Sequence, residues 1–146
     1  NREIGEFGRE ISMLAITIEN AMKKLITIRN AMVQVPGMPG ELDSRLSLLN
    51  LEMLGINEKL NGKATKSETG EKDDPTINDY YFKAMSGTRY STYGPTVTHR
   101  QCLQIAKEAY AELKQQTDQL LGIKIPDFEK DYLDAGGPWV EGMKVP

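Results

Sequence analysis

Cysteine and histidine are nearly absent from this sequence, which contains one of each in 146 residues. A lone cysteine excludes a disulfide within the chain, and the position of Cys102 in an apolar helical stretch predicts a buried thiol rather than a nucleophile. Zinc sites and di-iron helical bundles both need several His, Cys or Glu-x-x-His ligands. We therefore predict no metal and no other cofactor, and we expect His99 to pack at one end of the fold.

Positive charge is not in excess, since 18 Lys and Arg residues face 21 Asp and Glu residues and give a net charge of −3. Without a basic patch the chain lacks the electrostatic attraction on which nucleic-acid binding depends. Apolar runs of the length that a membrane-spanning helix needs are also missing. Gly5 and Gly8 stand inside a helical pattern and do not form a phosphate-binding loop. These absences exclude nucleic acid as a partner and predict no membrane span.

What the sequence does contain is long heptad patterning, which begins at its first residues. Spacings that alternate between three and four residues predict a helix over about 3–35, stopped by Pro36 and Gly37. We expect Ile16, Met22, Ile26 and Val33 to widen its apolar stripe, so that it packs on more than one helix. The seam consists of Ile4, Phe7, Ile11, Leu14, Ile18, Ala21, Leu25, Ile28, Met32 and Val35.

A second helix follows after a short turn and shows the same spacing. It ends at Asn61-Gly62, and we interpret Gly55, in its interior, as the mark of a close helix crossing. We expect Leu48, Leu51 and Leu54 to broaden its buried face. Its seam consists of Leu42, Leu46, Leu49, Met53, Ile56 and Leu60.

The middle of the chain changes composition twice, first to a polar linker over 62–75 and then to an aromatic crossover over 76–95. The crossover contains a short helix that starts near Thr76. Aromatic rings of this kind stack on sugars or anchor protein partners, and they also serve to pack a crossover onto a bundle. Both alternatives stay open for the candidate surface formed by Tyr80, Tyr81, Tyr90, Tyr93 and Trp139, with Phe82 among them.

A third long helix is predicted from Thr98 to Gly122, with its seam from His99 and Leu103 to Leu120. A last short helix is predicted over 126–135, followed by a turn that carries Trp139. The fold class is therefore all-α, an up-and-down bundle of three long helices with additional short helices in one domain, 1–146. The chain starts at Asn1, without methionine and already in helical register, so we expect it to be part of a longer protein.

Short motifs in the C-terminal third carry a resemblance to a known group of proteins. They are Pro95-Thr96-Val97-Thr98-His99-Arg100-Gln101, Ile125-Pro126-Asp127-Phe128 and Ala135-Gly136-Gly137-Pro138-Trp139. In these segments, all within 88–140, the chain resembles the C-terminal helical domain of bacterial, Bacteroidetes-type exported proteins. Those proteins carry a sortilin-like, Asp-box (BNR-repeat) propeller and are often labelled glycosyl hydrolase-like. The resemblance transfers no catalytic residue, because none is assigned to that helical region.

The function expected from these features is that of a non-catalytic interaction module. The resemblance implies that its partners are the upstream domains of its own longer chain, and that the protein is exported to the periplasm, the cell envelope or the medium. Another protein or a glycan is a further partner class. The alternatives are a carbohydrate- or small-ligand-binding bundle that uses the aromatic crossover, or part of a glycoside hydrolase-like protein. We expect no enzymatic activity in this fragment.

Overall fold

The computed structural model describes residues 2–62, 75–89 and 97–143, and the described residues are helical without a strand, which confirms the predicted fold class. The two seams with the most regular spacing both face inward, because a repeat of 3.5 residues keeps one line of side chains on one side of a helix. The helices are α1 (Arg2–Val33), α2 (Gly40–Asn61), α3 (Ile77–Arg89), α4 (Val97–Gln119) and α5 (Ile125–Asp134), with a π-helical segment at Leu120–Lys124 between the last two.

The first two helices form an antiparallel hairpin. Its turn contains Gly37 with a φ of +78°, a conformation that glycine adopts without steric cost. Nine seam positions of α1, from Ile4 to Met32, and all six of α2 are buried as predicted. The Arg29 guanidinium donates to Ser47 Oγ at 2.9 Å, which fixes the register of the two helices.

The third helix begins where the second ends. Thr76 caps it, since Thr76 N–H donates to Asp79 Oδ2 at 2.9 Å and Asp79 N–H donates to Thr76 Oγ1 at 3.1 Å. This reciprocal pair is a capping box, and it satisfies two N–H groups that no helical carbonyl can reach. The amide of Asn78 donates to that of Asn61, which joins the start of α3 to the end of α2.

The fourth helix lies beside α1 and runs in the same direction. Lys107 forms an ion pair with Glu3, and the ring of Tyr110 meets that of Phe7 edge-on at 5.5 Å. Cys102 is buried, as predicted for a structural thiol. At this end of α4 the buried line passes through Cys102 and not through His99 and Leu103, which are only partly buried. The expected seam was therefore displaced by one residue in its first turns.

Gly122 does not end the helix, contrary to the sequence prediction. The chain continues through the π segment, where Ile125 N–H donates to Leu120 O, five residues back. The buried residues of α4 follow heptad spacing up to Leu120. The next buried residue is Ile125, five positions later instead of three or four. A π turn, with its extra residue, accommodates that spacing. It lies directly before Pro126, which has no N–H group to donate to the Gly122 carbonyl as an α-helix would require.

The fifth helix is tied to the hairpin by both apolar and charged contacts. Phe128 and Tyr132 are fully buried and stack with their centroids 6.3 Å apart. Ion pairs surround them and join α5 and the π segment to α1 and α2. They are Lys24–Glu129 at 2.6 Å, Arg45–Asp131 at 2.7 Å and Lys124–Glu52 at 3.1 Å.

Candidate functional site

The aromatic residues predicted to form a binding surface have different structural roles. Tyr81 packs edge-on against Phe7, with ring centroids 6.0 Å apart. Its hydroxyl occupies space that only glycine leaves open, since a Cβ atom at Gly8 would lie 2.3 Å from that oxygen. Tyr81 therefore fastens α3 to the N-terminal part of α1, which is the packing alternative that the sequence left open.

Tyr80 lines an open cleft of about 490 Å³ between α2, α3 and α4. Gly55 forms part of the α2 side of this cleft, and Glu112 lines the α4 side. A tyrosine ring beside carboxylates and a lysine, Lys59, can hold a small polar molecule through stacking and hydrogen bonds. The remaining lining residues are Glu58, Pro75, Thr76, Ile77, Ala109, Leu113 and Gln116.

Trp139 lies in a different part of the molecule from Tyr81. The turn that carries it ends beside Lys24, whose side chain is 3.1 Å from the position of a Cβ atom at Gly142. Gly8 and Lys24 are 16 residues apart on α1, so about 24 Å of helix separates the two aromatic positions. The structure thus does not bring Tyr81 and Trp139 together. Tyr90 and Tyr93 lie outside the described residues.

The turn before Trp139 explains the Ala-Gly-Gly-Pro motif. Gly136, with a φ of +95°, donates to Leu133 O, and Gly137 donates to Tyr132 O, which together form a Schellman cap. The Tyr132 ring covers Gly137, and its hydroxyl donates to Pro138 O at 2.7 Å. The two glycines therefore have separate tasks, one in backbone conformation and one in making room for a ring.

The resolved pKa shifts of the described residues fall on two tyrosines and a lysine. Burial raises the pKa of Tyr132 and also, with help from Glu10, that of Tyr110. A hydrogen bond to Asp118 raises the pKa of Lys114. These shifts keep ordinary protonation states at neutral pH. Within 2–62, 75–89 and 97–143, no three His, Cys, Asp or Glu side chains are placed to hold a metal ion together.

The outer faces of α1 and α2 are more apolar than the outside of a self-sufficient bundle requires. Leu48, Leu51 and Leu54 are exposed by 66%, 64% and 36%, and Ile16, Ile26 and Val33 on α1 are exposed as well. The expectation that these residues widen the buried stripes is wrong for all six; only Met22 packs partly against the core. The sequence could have indicated this exposure. The a and d positions of both heptad repeats are already filled with apolar residues, so no further apolar residue is needed to form the buried face.

We call the exposed apolar residues Ile26, Leu48, Leu51 and Leu54 of the two helices the hairpin patch. Because Arg29 bonds to Ser47 across antiparallel helices, residues whose numbers add up to about 76 lie at equal height. Ile26 is thus within one residue of the height of Leu51. It also precedes Arg29 by three residues, which places it on the side of α1 that faces α2.

Gly55 does not mark a crossing between the helices that the structure describes. A Cβ atom placed on it would meet nothing within 4 Å, so the backbone of α2 is uncovered at this residue, at the edge of the open cleft beside Tyr80. Among the described residues, no helix is both long and apolar enough to cross a membrane. No protein family, curated protein or solved structure matches this chain.

Proposed function

We propose that this chain is a non-catalytic helical interaction module that binds a protein partner through the hairpin patch. The observation that supports this function is the exposure of Ile26, Leu48 and Leu51 on helices whose inner faces are already buried. Large apolar side chains that stand together on a surface mark protein interfaces, because their hydration is relieved only when another surface covers them.

The polar helix α5 supports this assignment by contrast. Its exposed positions are Pro126, Asp127, Lys130, Asp131 and Asp134, and every large apolar residue of α5 is at least partly buried. The same chain therefore keeps one helix polar on its outside and another apolar. A general lack of polar residues does not account for the leucines of α2.

Site-specific photo-crosslinking in the cells that make the protein tests this function. A photoreactive amino acid is placed at Leu51, and the matched control carries it at Lys130, which is exposed on the polar face of α5. We expect a protein adduct of defined mass at Leu51 and none above background at Lys130. Equal labelling at both positions, or none at either, contradicts a protein-binding role for the hairpin patch.

The setting of the module follows from the resemblance in the C-terminal third. We propose that it works within a longer exported protein of the sortilin-like propeller type and contacts the other domains of that protein. Mass spectrometry of the native protein from a fractionated culture tests this proposal. Peptides of this chain recovered from the envelope or the medium, on a polypeptide much larger than 16.3 kDa, are the expected result.

A second candidate function is the binding of a glycan or small polar ligand in the cleft beside Tyr80. The cleft volume of about 490 Å³ falls within the range of small-molecule sites. Titration with a panel of oligosaccharides, followed by the chemical shifts of the tyrosine rings, should give saturable changes that Tyr80→Ala abolishes. If the spectra do not change with any oligosaccharide, the cleft is not a glycan site.

A further inference from the structure

One ridge of α2 carries the exposed leucines and has an internal symmetry. Residues four apart form a continuous ridge on a helix surface, and the ridge through Leu51 lies opposite the buried seam. It consists of Asp43, Ser47, Leu51, Gly55 and Lys59, all at least partly exposed, and Leu48 and Leu54 lie on either side of it.

Positions at equal distance from Leu51 complement each other. Ser47 and Gly55 are both small, and Leu48 and Leu54 are identical. Asp43 and Lys59 at the two ends carry opposite charges. A surface with this symmetry matches a second copy of itself that runs in the opposite direction, because each residue then meets its counterpart across a two-fold axis.

We propose that the partner of the hairpin patch is a second copy of this chain, bound antiparallel through α2 with Leu51 on the two-fold axis. This inference rests on the proposed function and names its partner. Two ridges of i, i+4 residues that pack against each other cross at about −50°, the commonest angle between helices in globular proteins. In that arrangement Asp43 of each copy lies beside Lys59 of the other.

Gly55 provides the space that such a crossing needs. Side chains on a helix lean toward its N-terminus, so Leu51 leans toward Ser47 of its own helix. In an antiparallel pair, Gly55 of the second copy lies at that position. Each Leu51 therefore packs over the backbone at Gly55 of the second copy. There is room for it, because no atom of the monomer lies within 4 Å of the place where a Cβ atom of Gly55 would be.

A parallel pair of the same helices fits less well. It would set Asp43 against Asp43 and Lys59 against Lys59, and like charges at an interface oppose association. It would also place the two helix dipoles side by side in the same direction, which sets like ends next to each other. Charge therefore selects the antiparallel arrangement. One helix from each copy buries less than a standard-sized interface, so we expect a dimer with an affinity in the micromolar range.

Sedimentation equilibrium of the 146-residue chain between roughly 1 µM and 1 mM tests the dimer. We expect Leu51→Glu to weaken it by more than about tenfold, because two carboxylates would be buried against each other. Lys130→Glu is the matched control and should leave the affinity unchanged. Both substitutions fall on exposed positions, and equal melting temperatures at low concentration verify that the monomers fold.

Charge exchange tests the antiparallel register. Asp43→Lys and Lys59→Asp each replace two attractive pairs with two repulsive pairs, and each should weaken the homodimer by roughly 3- to 10-fold. A mixture of the two variants restores opposite charges at both ends. We therefore expect a heterodimer as stable as the unmodified dimer, a rescue that damage to the fold could not produce.

Disulfide formation reports the orientation directly. In a Cys102→Ala background, Leu51→Cys should link to itself across the two-fold axis. Ser47→Cys should not, because the two copies of residue 47 would be about 12 Å apart. If Ser47→Cys links to itself, the helices are parallel and the proposed arrangement is wrong.

The outcomes separate this inference from the proposed function. A chain that stays monomeric to the highest concentration, or a dimer that ignores both Leu51→Glu and the charge exchange, overturns the α2 dimer. If the photoreactive residue at Leu51 still captures a different protein, the interaction role of the hairpin patch stands. Without any adduct at Leu51, both fail.

Discussion

Helices α2 and α5 pack against each other, yet their outer faces differ in polarity. The fifth helix buries Phe128 and Tyr132 and exposes charged residues, so it is complete within this chain. The second buries an equally regular seam and still leaves Leu51 almost two-thirds exposed. A buried leucine face is expected in any stable fold, because burying apolar surface stabilises the folded state. A group of exposed leucines is not explained in this way, so it points to an interaction with another molecule. The proposed interaction role of the hairpin patch rests on this difference.

The largest expected contrast lies between the two faces of α2 itself. Leu46→Ala removes a fully buried side chain and should lower the free energy of unfolding by about 2–5 kcal/mol, because a cavity remains in the core. Leu51→Ala removes an exposed side chain and should change it by less than about 0.5 kcal/mol at concentrations where the chain is monomeric. Urea unfolding measures both variants. Equal losses would mean that the outer leucines belong to the core.

The next contrast uses one substitution at two glycines. Gly137→Ala places a methyl group 2.3 Å from the ring of the buried Tyr132 and should cost about 1–3 kcal/mol. Gly55→Ala enters open space inside a helix and should stabilise the monomer by up to about 1 kcal/mol. Thermal melts of both variants decide the matter. A destabilising Gly55→Ala would show that this residue is already covered within the monomer.

A smaller effect is expected from the charges that hold α5. Glu129 is nearly buried beside Lys24, so Glu129→Gln leaves that ammonium group without its counter-ion and should cost about 1–2 kcal/mol. The control is Glu52→Gln, whose partner Lys124 is half exposed and hydrated, and a loss of a few tenths of a kcal/mol is expected. Chemical denaturation at low and at high salt measures the two. If the two losses were equal, burial would not be what strengthens the Lys24 pair.

The smallest effect concerns alkaline pH. Burial raises the pKa of Tyr132 above its ordinary value of 10.0, so the unfolded chain releases this proton at a lower pH than the folded chain. The corresponding part of the free energy of unfolding is fully present below pH 10 and is lost as the pH rises through the folded-state pKa. Melts between pH 8 and pH 11 on the native chain and Tyr132→Phe should run parallel up to about pH 10 and diverge above it. Parallel curves throughout would exclude this contribution.

Periodicity was sufficient to predict most of this fold. The seams of α1 and α2 were assigned correctly because a heptad repeat states directly which residues face a neighbour. The end of the third long helix, α4, was predicted wrongly. Glycine is a frequent helix terminator, but Gly122 lies inside the π segment that continues the helix. The sequence signal for the π segment was the spacing of five residues between the apolar positions Leu120 and Ile125. Pro126, which has no N–H group, follows directly and explains why the regular hydrogen-bond pattern is broken there.

The candidate site was less accessible to sequence reasoning. Ring composition alone does not separate Tyr81, which packs on Phe7, from Tyr80 one residue earlier, which lines a cleft. The difference lies in a tertiary contact with Gly8 that no local pattern encodes. The outer leucines of α2 were visible in the sequence, but their exposure depends on how many helices surround α2, which periodicity does not count.

The π segment also determines which changes in chain length this fold can absorb. It holds one residue more than a heptad needs, so losing one of the exposed residues among 121–124 would return the buried positions on both sides to a single regular phase. Gaining one residue there would instead rotate α5 by about 100° about its axis. Asp127 and Asp131 would then occupy the places of Phe128 and Tyr132 in the core. Evolution can therefore shorten this chain at the π segment far more readily than it can lengthen it.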